Sequence, residues 1–271
     1  MATQAIRHPA VAGQFYPRSS SALLKDLESY FVPDAQPRPA LGCMVPHAGY
    51  MYSGHVAGAV YSQVSIPPLA IILCPNHTGL GHPLSIMSEG AWQTPLGNLQ
   101  IDADLAYALR KACPLLDEDH DAHRSEHAIE VQLPFLQRMQ SALRFVPIAV
   151  GTGDYESLQA LGTAAGNVIA ESRQPILLVA SSDMNHYESD AVTRAKDQQA
   201  IARMLALDPA GLYEVIHNEN ISMCGYGPAM VMLTATMLLG AKSAELIRYA
   251  TSGDISGDRR MVVGYAGIVV R

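Results

Sequence analysis

Cysteine is scarce and scattered in this chain. Its four cysteines (Cys43, Cys74, Cys113, Cys224) form no CxxC pair, which excludes a disulfide framework and a structural zinc knuckle. No CxxxCxxC cluster motif is present either, so nothing here holds a radical S-adenosylmethionine centre. Clustered Lys and Arg are also lacking, and the formal net charge is −7; phosphate neutralisation has no basis, which argues against DNA or RNA as a partner. The longest apolar run, GPAMVMLTATMLLGA (227–241), is broken by threonines and falls short of the roughly 20 residues of a membrane span. It reads as a buried helix. The N-terminus lacks the charged-then-apolar order of a secretion signal, so the expected address is the cytoplasm, with no membrane partner.

What the chain does have is apolar mass: 49% hydrophobic against 16% charged residues over 271 positions, enough for one large folded domain spanning 1–271. There is no internal repeat, and the proline-rich VPDAQPRPA (32–40) is too short to separate two cores. Short apolar runs at 40–45, 69–74, 143–150, 175–181, 244–250 and 260–270 read as strands buried on both faces. Amphipathic stretches at 20–31, 103–113, 126–139, 155–172 and 190–207 read as helices between them. This alternation predicts a single-domain α/β fold with a mainly parallel or mixed central sheet flanked by helices, and a hairpin-like insertion around 83–102.

Three of the predicted strands run directly into loops that carry histidine. ALGCMV leads to His47, LAIILC to His77, and ILLVA to Asp183 and His186. In open α/β sheets the carboxyl ends of strands line the ligand crevice, so these side chains are candidates to converge. A lone histidine at a strand end is ordinarily a loop residue satisfied by a carbonyl. Three together favour a metal or acid–base site, because imidazole is the commonest metal ligand and the usual base near neutral pH.

A second cluster, DEDHDAHRSEHAIEVQLPFL (117–136), predicts a helix beginning at an N-cap Ser125, with Glu126 and Glu130 on one face and His127 and Glu130 on one side. His120 and His123 read as part of a solvated acidic helix start, whereas His127 and Glu130 are candidates for supporting a site or touching substrate. The third element is ISMCGYGPAMVM (221–232). Cys224 stands before Gly225 and Pro228 at the start of the apolar helix, where a thiolate would be favoured as nucleophile or soft ligand. Cys43, Cys74 and Cys113 read as packing residues.

Taken in order, RHPAVAGQFYP (7–17), VPHAGYMYSGHVAGAVY (45–61), CPNHTG (74–79), WQTPLGNLQID (92–102), SEHAIEVQLPFLQ (125–137), SSDMNHYES (181–189) and MCGYGP (223–228) resemble the Memo family, also described as protein B of the AmmeMemoRadiSam system. That family is similar in fold to the class III extradiol dioxygenases. The resemblance implies that His47, His77 and Cys224 are metal ligands, that His186 is an acid–base residue, and that Asp183 is a site carboxylate. It also implies AMMECR-type and radical SAM proteins as pathway partners, and the family includes a eukaryotic adaptor linked to receptor signalling and phosphopeptide recognition. The dioxygenases use two histidines and a carboxylate, whereas a cysteine stands here in the third position; this softens the site, so iron leads but copper and zinc compete. Three functions follow as expectations: a metal-dependent, dioxygenase-like oxidoreductase acting on a small molecule or peptide; a non-catalytic peptide- or protein-binding module; and a zinc hydrolase with His186 or Glu130 as base.

Overall fold

Alternate residues of the central strands point into two different hydrophobic cores, and this sets the layering. In the strand Leu69–Pro75, Leu69, Ile71 and Leu73 join one core while Ala70, Ile72 and Cys74 join the other. The first core is closed by the helices Ala103–Ala112, Tyr155–Glu171, Asp190–Leu205, Pro209–Asn218 and Tyr226–Leu238; the second by Ser20–Tyr30, Tyr50–Ser62 and Leu133–Met139. The computed structural model describes residues 5–271.

Five strands run parallel as neighbours, in the order Gly97–Ile101, Arg144–Val150, Leu69–Pro75, Ile176–Ser181, Gly42–Val45. Val262–Val270 extends the sheet antiparallel to Gly42–Val45, and pairs antiparallel with Ala244–Thr251 and the short His186–Glu188. At the opposite end Gly97–Ile101 forms a hairpin with Ala91–Thr94, against which Ile6–Arg7 lies parallel. The sheet is therefore mixed with a parallel centre, flanked by helices on both faces, as the alternation of strand and helix patterns predicts.

Several helices start where the sequence caps them. Asp102, Asp154, Ser189 and Asp208 each accept a hydrogen bond from a backbone N–H of the first turn that follows. Three expectations need correction. Residues 126–139 do not form one helix: a turn leads into the 3-10 segment Glu130–Gln132, and the α-helix is only Leu133–Met139. Ala244–Thr251 is an edge strand with half-exposed side chains along most of its length, rather than one buried on both faces. Within 83–102, Leu84–Ile86 leaves the hairpin and pairs with Arg144–Val150. Two longer helices lie outside the predicted set: Tyr50–Ser62, which is buried nearly all round and so has no polar face, and Pro209–Asn218, which opens on an Asp-Pro start and buries Leu212 and Ile216 on one side. Among the described residues no helix is long and apolar enough to cross a membrane.

His123, expected on a solvated helix start, is completely buried. Its ring meets the edge of Trp92, with centroids 5.7 Å apart, its carbonyl accepts from Arg7 Nε at 3.1 Å, and neither ring nitrogen has a hydrogen-bond partner. Burial first, then the Arg7 charge, hold the imidazole down to about 4 from its usual 6.5, against the opposing pull of Asp119 and the Ser85 backbone. Below pH 6.5 the unfolded chain takes up a proton that the folded one refuses, so stability is lost as pH falls from 6.5 towards 4. The shift corresponds to roughly 3 kcal/mol at its limit. His123→Leu should flatten this acid limb; a urea-midpoint series between pH 7 and pH 4 that is equally steep in both proteins would contradict it.

Candidate metal centre at the strand ends

The three adjacent strands Leu69–Pro75, Ile176–Ser181 and Gly42–Val45 are parallel and nearly level, with Val45 beside Ser181 and Leu73 beside Ala180. Each therefore delivers the residues after it to the same edge. His47, His77, Asp183 and His186 arrive there, and Cys224 joins them from the loop before helix Tyr226–Leu238. That loop can approach only because residue 225 is glycine: a Cβ there would stand 2.5 Å from the Ser181 carbonyl oxygen. The Gly225 N–H donates to Ser182 Oγ at 3.1 Å and fixes the approach. The resulting cavity has a volume of about 550 Å³, and Phe15, Tyr187 and Tyr265 form much of its wall.

Hydrogen bonds on the far side of each ring decide which nitrogen faces inward. Ser181 Oγ spends its single proton on the Ala128 carbonyl at 2.7 Å, so it accepts from both Gln132 Nε2 and His47 Nδ1, each at 2.9 Å. His77 Nδ1 donates to Glu126 Oε1 at 2.9 Å. His186 Nδ1 donates to the Ser222 carbonyl at 2.8 Å. In all three rings Nδ1 carries a proton and Nε2 is left for the cavity side, where that of His47 accepts from the Cys224 thiol; this is the arrangement of metal-binding or basic imidazoles.

His47 Nε2 lies 3.2 Å from Cys224 Sγ, and one ligand atom from each of His47, His77 and Cys224 falls within 4.8 Å of the others. This donor set fits a single metal ion: two imidazoles pinned at Nδ1 and a thiol, with open cavity beyond them. A second group, His77, Glu126 and His127, also falls within that span, but the Glu126 carboxylate is already occupied by His77 N–H at 2.6 Å, His77 Nδ1 and Ala128 N–H at 3.0 Å. Glu126 orients His77 instead of offering a second centre.

The electrostatics follow from burial. Burial above all, then the neighbouring histidines His127, His77 and His186, keep His47 well below the usual imidazole value, hence neutral. For His77 burial pulls the same way, but the hydrogen bond and charge of Glu126 outweigh it and leave the ring raised. Asp183 is pushed up to about 7 by burial, despite the N–H groups of His47 and Ala48 that favour its anion. Burial, then the nearby Asp183, push the Cys224 thiol up, so the thiolate favoured by a helix start is not what the protein alone provides. A cation among these donors would reverse that sign.

His127 faces the cavity and contacts Phe15, with ring centroids 4.8 Å apart. Glu130 does not share its side. It is completely buried behind the site, where its carboxylate accepts from Arg7, Tyr16 Oη at 2.6 Å, and the N–H groups of Ala10 and Val11 at 2.8 and 3.0 Å. Every one of those donors belongs to the segment 7–16, so Glu130 anchors the stretch that carries Phe15 into the wall. It neither lines the cavity nor is free to act as a base, which corrects those two expectations; its part is to support the wall from behind. Glu126, Ser181, Gln132 and Phe15 also serve the site, and of these only Glu126, a carboxylate adjoining a histidine, has a signal in the sequence.

The sequence model of the family described as Memo-like protein matches residues 7–269. A MEMO1 family protein of Methanopyrus kandleri is 43% identical over 279 residues, covering 98% of this chain and 99% of its own length. One from Methanosarcina barkeri is 44% identical over 267 residues, covering 98% of this chain and 100% of its own. Among solved structures, an uncharacterized protein from Escherichia coli K12 superposes with a TM-score of 0.57 at 14% identity, over 82% of this chain and 98% of that one, which is a likeness of fold.

Glu126→Gln should weaken cobalt(II) binding about 10- to 100-fold by loosening His77 while leaving the fold intact; unchanged affinity in a spectroscopic titration would show that His77 needs no such partner. Glu130→Ala leaves Arg7 buried without its counter-charge and should cost about 3–5 kcal/mol. A chemical-denaturation loss below about 1 kcal/mol would mean that the anchor is dispensable.

Proposed function

The chain belongs to the Memo family, and from that premise we propose that it is a metal-dependent oxidoreductase whose centre is held by His47, His77 and Cys224. The observation that carries this reading is the convergence of two pinned imidazoles and one thiol within 4.8 Å at the carboxyl edge of the sheet, with a roomy cavity in front. Iron is the first choice and copper the second, because one soft thiol joins two borderline nitrogen donors. When bound, such a metal supplies a redox-active Lewis acid.

The chain's own groups have separate tasks. His186, held at both its backbone N–H and its Nδ1 by Ser222, presents Nε2 to the cavity and takes up a substrate proton. Asp183 titrates near neutrality and accepts from the His47 N–H at 2.8 Å, so its carboxyl fixes the ligand-bearing loop and holds or yields a proton. The half-buried His127 lines the substrate side. In a zinc hydrolase His186 alone would be the base, since Glu130 is committed elsewhere. We place the protein in the cytoplasm; AMMECR-type and radical SAM proteins as pathway partners rest on the family likeness alone.

The test is metal content by mass spectrometry on untagged protein purified without oxygen. Near-stoichiometric iron or copper should be present, and lost in His77→Ala and Cys224→Ser, with metal-dependent oxygen consumption to be screened next. Wild-type protein that takes up no metal even on reconstitution would replace this reading with that of a peptide-binding module.

A further inference from the structure

Four residues other than glycine have a positive φ among those described: Asp34, Tyr187, Leu207 and Asn220. Asp and Asn tolerate the left-handed region through local hydrogen bonding. Leu207 lies just past the end of helix Asp190–Leu205, where its N–H closes the helix on the Met204 carbonyl. Tyr187, at φ 61°, has neither excuse. It is an aromatic residue in a conformation that costs free energy.

Its surroundings show how the strain is held. The pairing of His186 with Val263 and of Glu188 with Val262 skips Tyr187, which makes it the extra residue of a bulge. Both flanks are clamped. The buried Asn185 donates through Nδ2 to Glu188 at 2.7 Å and accepts at Oδ1 from the Ser222 N–H at 3.0 Å, while Ser222 in turn grips His186. Lys196 pairs with Glu188 at 2.8 Å. All this fixes a side chain that is 69% exposed and contributes little to either core, yet lines the cavity, its ring 5.6 Å from that of His186.

Since the fold gains little from that ring, we propose that Tyr187 is a specificity-determining residue: its ring packs on the flat apolar part of an organic ligand whose polar head reaches the metal centre. This deepens the metal-centre reading above and rests on it. Among the described residues no Lys or Arg lines the cavity, whereas Phe15, Tyr187 and Tyr265 do, so discrimination there comes from aromatic contact and not from a fixed positive charge.

Two metal-directed probes with the same head group test it: benzohydroxamate, with a phenyl ring, and acetohydroxamate, with a methyl group. Each is titrated into cobalt(II)-loaded wild type, Tyr187→Gly, Tyr187→Asn and Tyr187→Phe. Wild type should prefer the phenyl compound, and the glycine and asparagine variants should lose about 3- to 10-fold of that preference while binding acetohydroxamate as before. Tyr187→Phe, which keeps the ring, should retain it. The urea midpoints of the glycine and asparagine variants should equal or exceed that of wild type, because both residues suit the left-handed backbone. An undiminished phenyl preference in both variants overturns the assignment. So does a clear fall in their urea midpoints, which would make the ring a packing element. A protein that gives no cobalt spectrum at all fails at the metal-centre reading, and the Tyr187 assignment falls with it.

Discussion

Parallel pairing of Leu69–Pro75, Ile176–Ser181 and Gly42–Val45 is the constraint on which everything else depends. Their backbone groups are spent on one another and their side chains on two apolar cores, so chemistry has no place along their length. It has a place only where they stop. Because they run the same way and stop level, residues separated by more than a hundred positions, such as His47 and Asp183, come within hydrogen-bond reach.

The polar side chains behind the centre solve a problem that this geometry creates. Histidines at the end of buried strands have one ring nitrogen facing protein and one facing the cavity. The inner nitrogen must be satisfied, since an unpaired buried polar atom is costly. Ser181 and Glu126 do this for His47 and His77, and in doing so they place the proton on Nδ1 and leave Nε2 to the cavity side. Satisfying the fold and preparing the ligands are one act. Burial meanwhile disfavours the charged forms of His47, Cys224 and Asp183, keeping the first neutral, the second protonated and the third raised to about 7, while at His77 the Glu126 hydrogen bond and charge outweigh it. Such a set is poised to respond to a cation.

The segment 7–16 shows a different economy. It ties itself across the sheet edge by directing Arg7, Tyr16 and two backbone N–H groups at the single carboxylate of Glu130, with the Arg7 guanidinium 4.4 Å over the Trp92 ring. This ordering carries Phe15 against His127 and gives the cavity its wall. A buried ion pair of this kind is costly to form and costlier to break, which suits a segment that must stay in one position.

The sequence by itself determined the layers, most of the strands and the three histidine-bearing strand ends, because apolar runs and their punctuation are local properties of the chain. It also marked Cys224 by the glycines and proline around it. Where burial removed the periodic signal, as in helix Tyr50–Ser62, or where buried carboxylates claimed distant donors, as at Glu126 and Glu130, local pattern misled or said nothing. Only the tertiary structure decided that His127 faces the cavity while Glu130 turns away, that His123 is buried, and that Ser181, Glu126 and Ser222 choose the tautomers. The reason is physical. Which way a polar side chain turns depends on partners from other strands and loops, and their positions exist only once the sheet has closed.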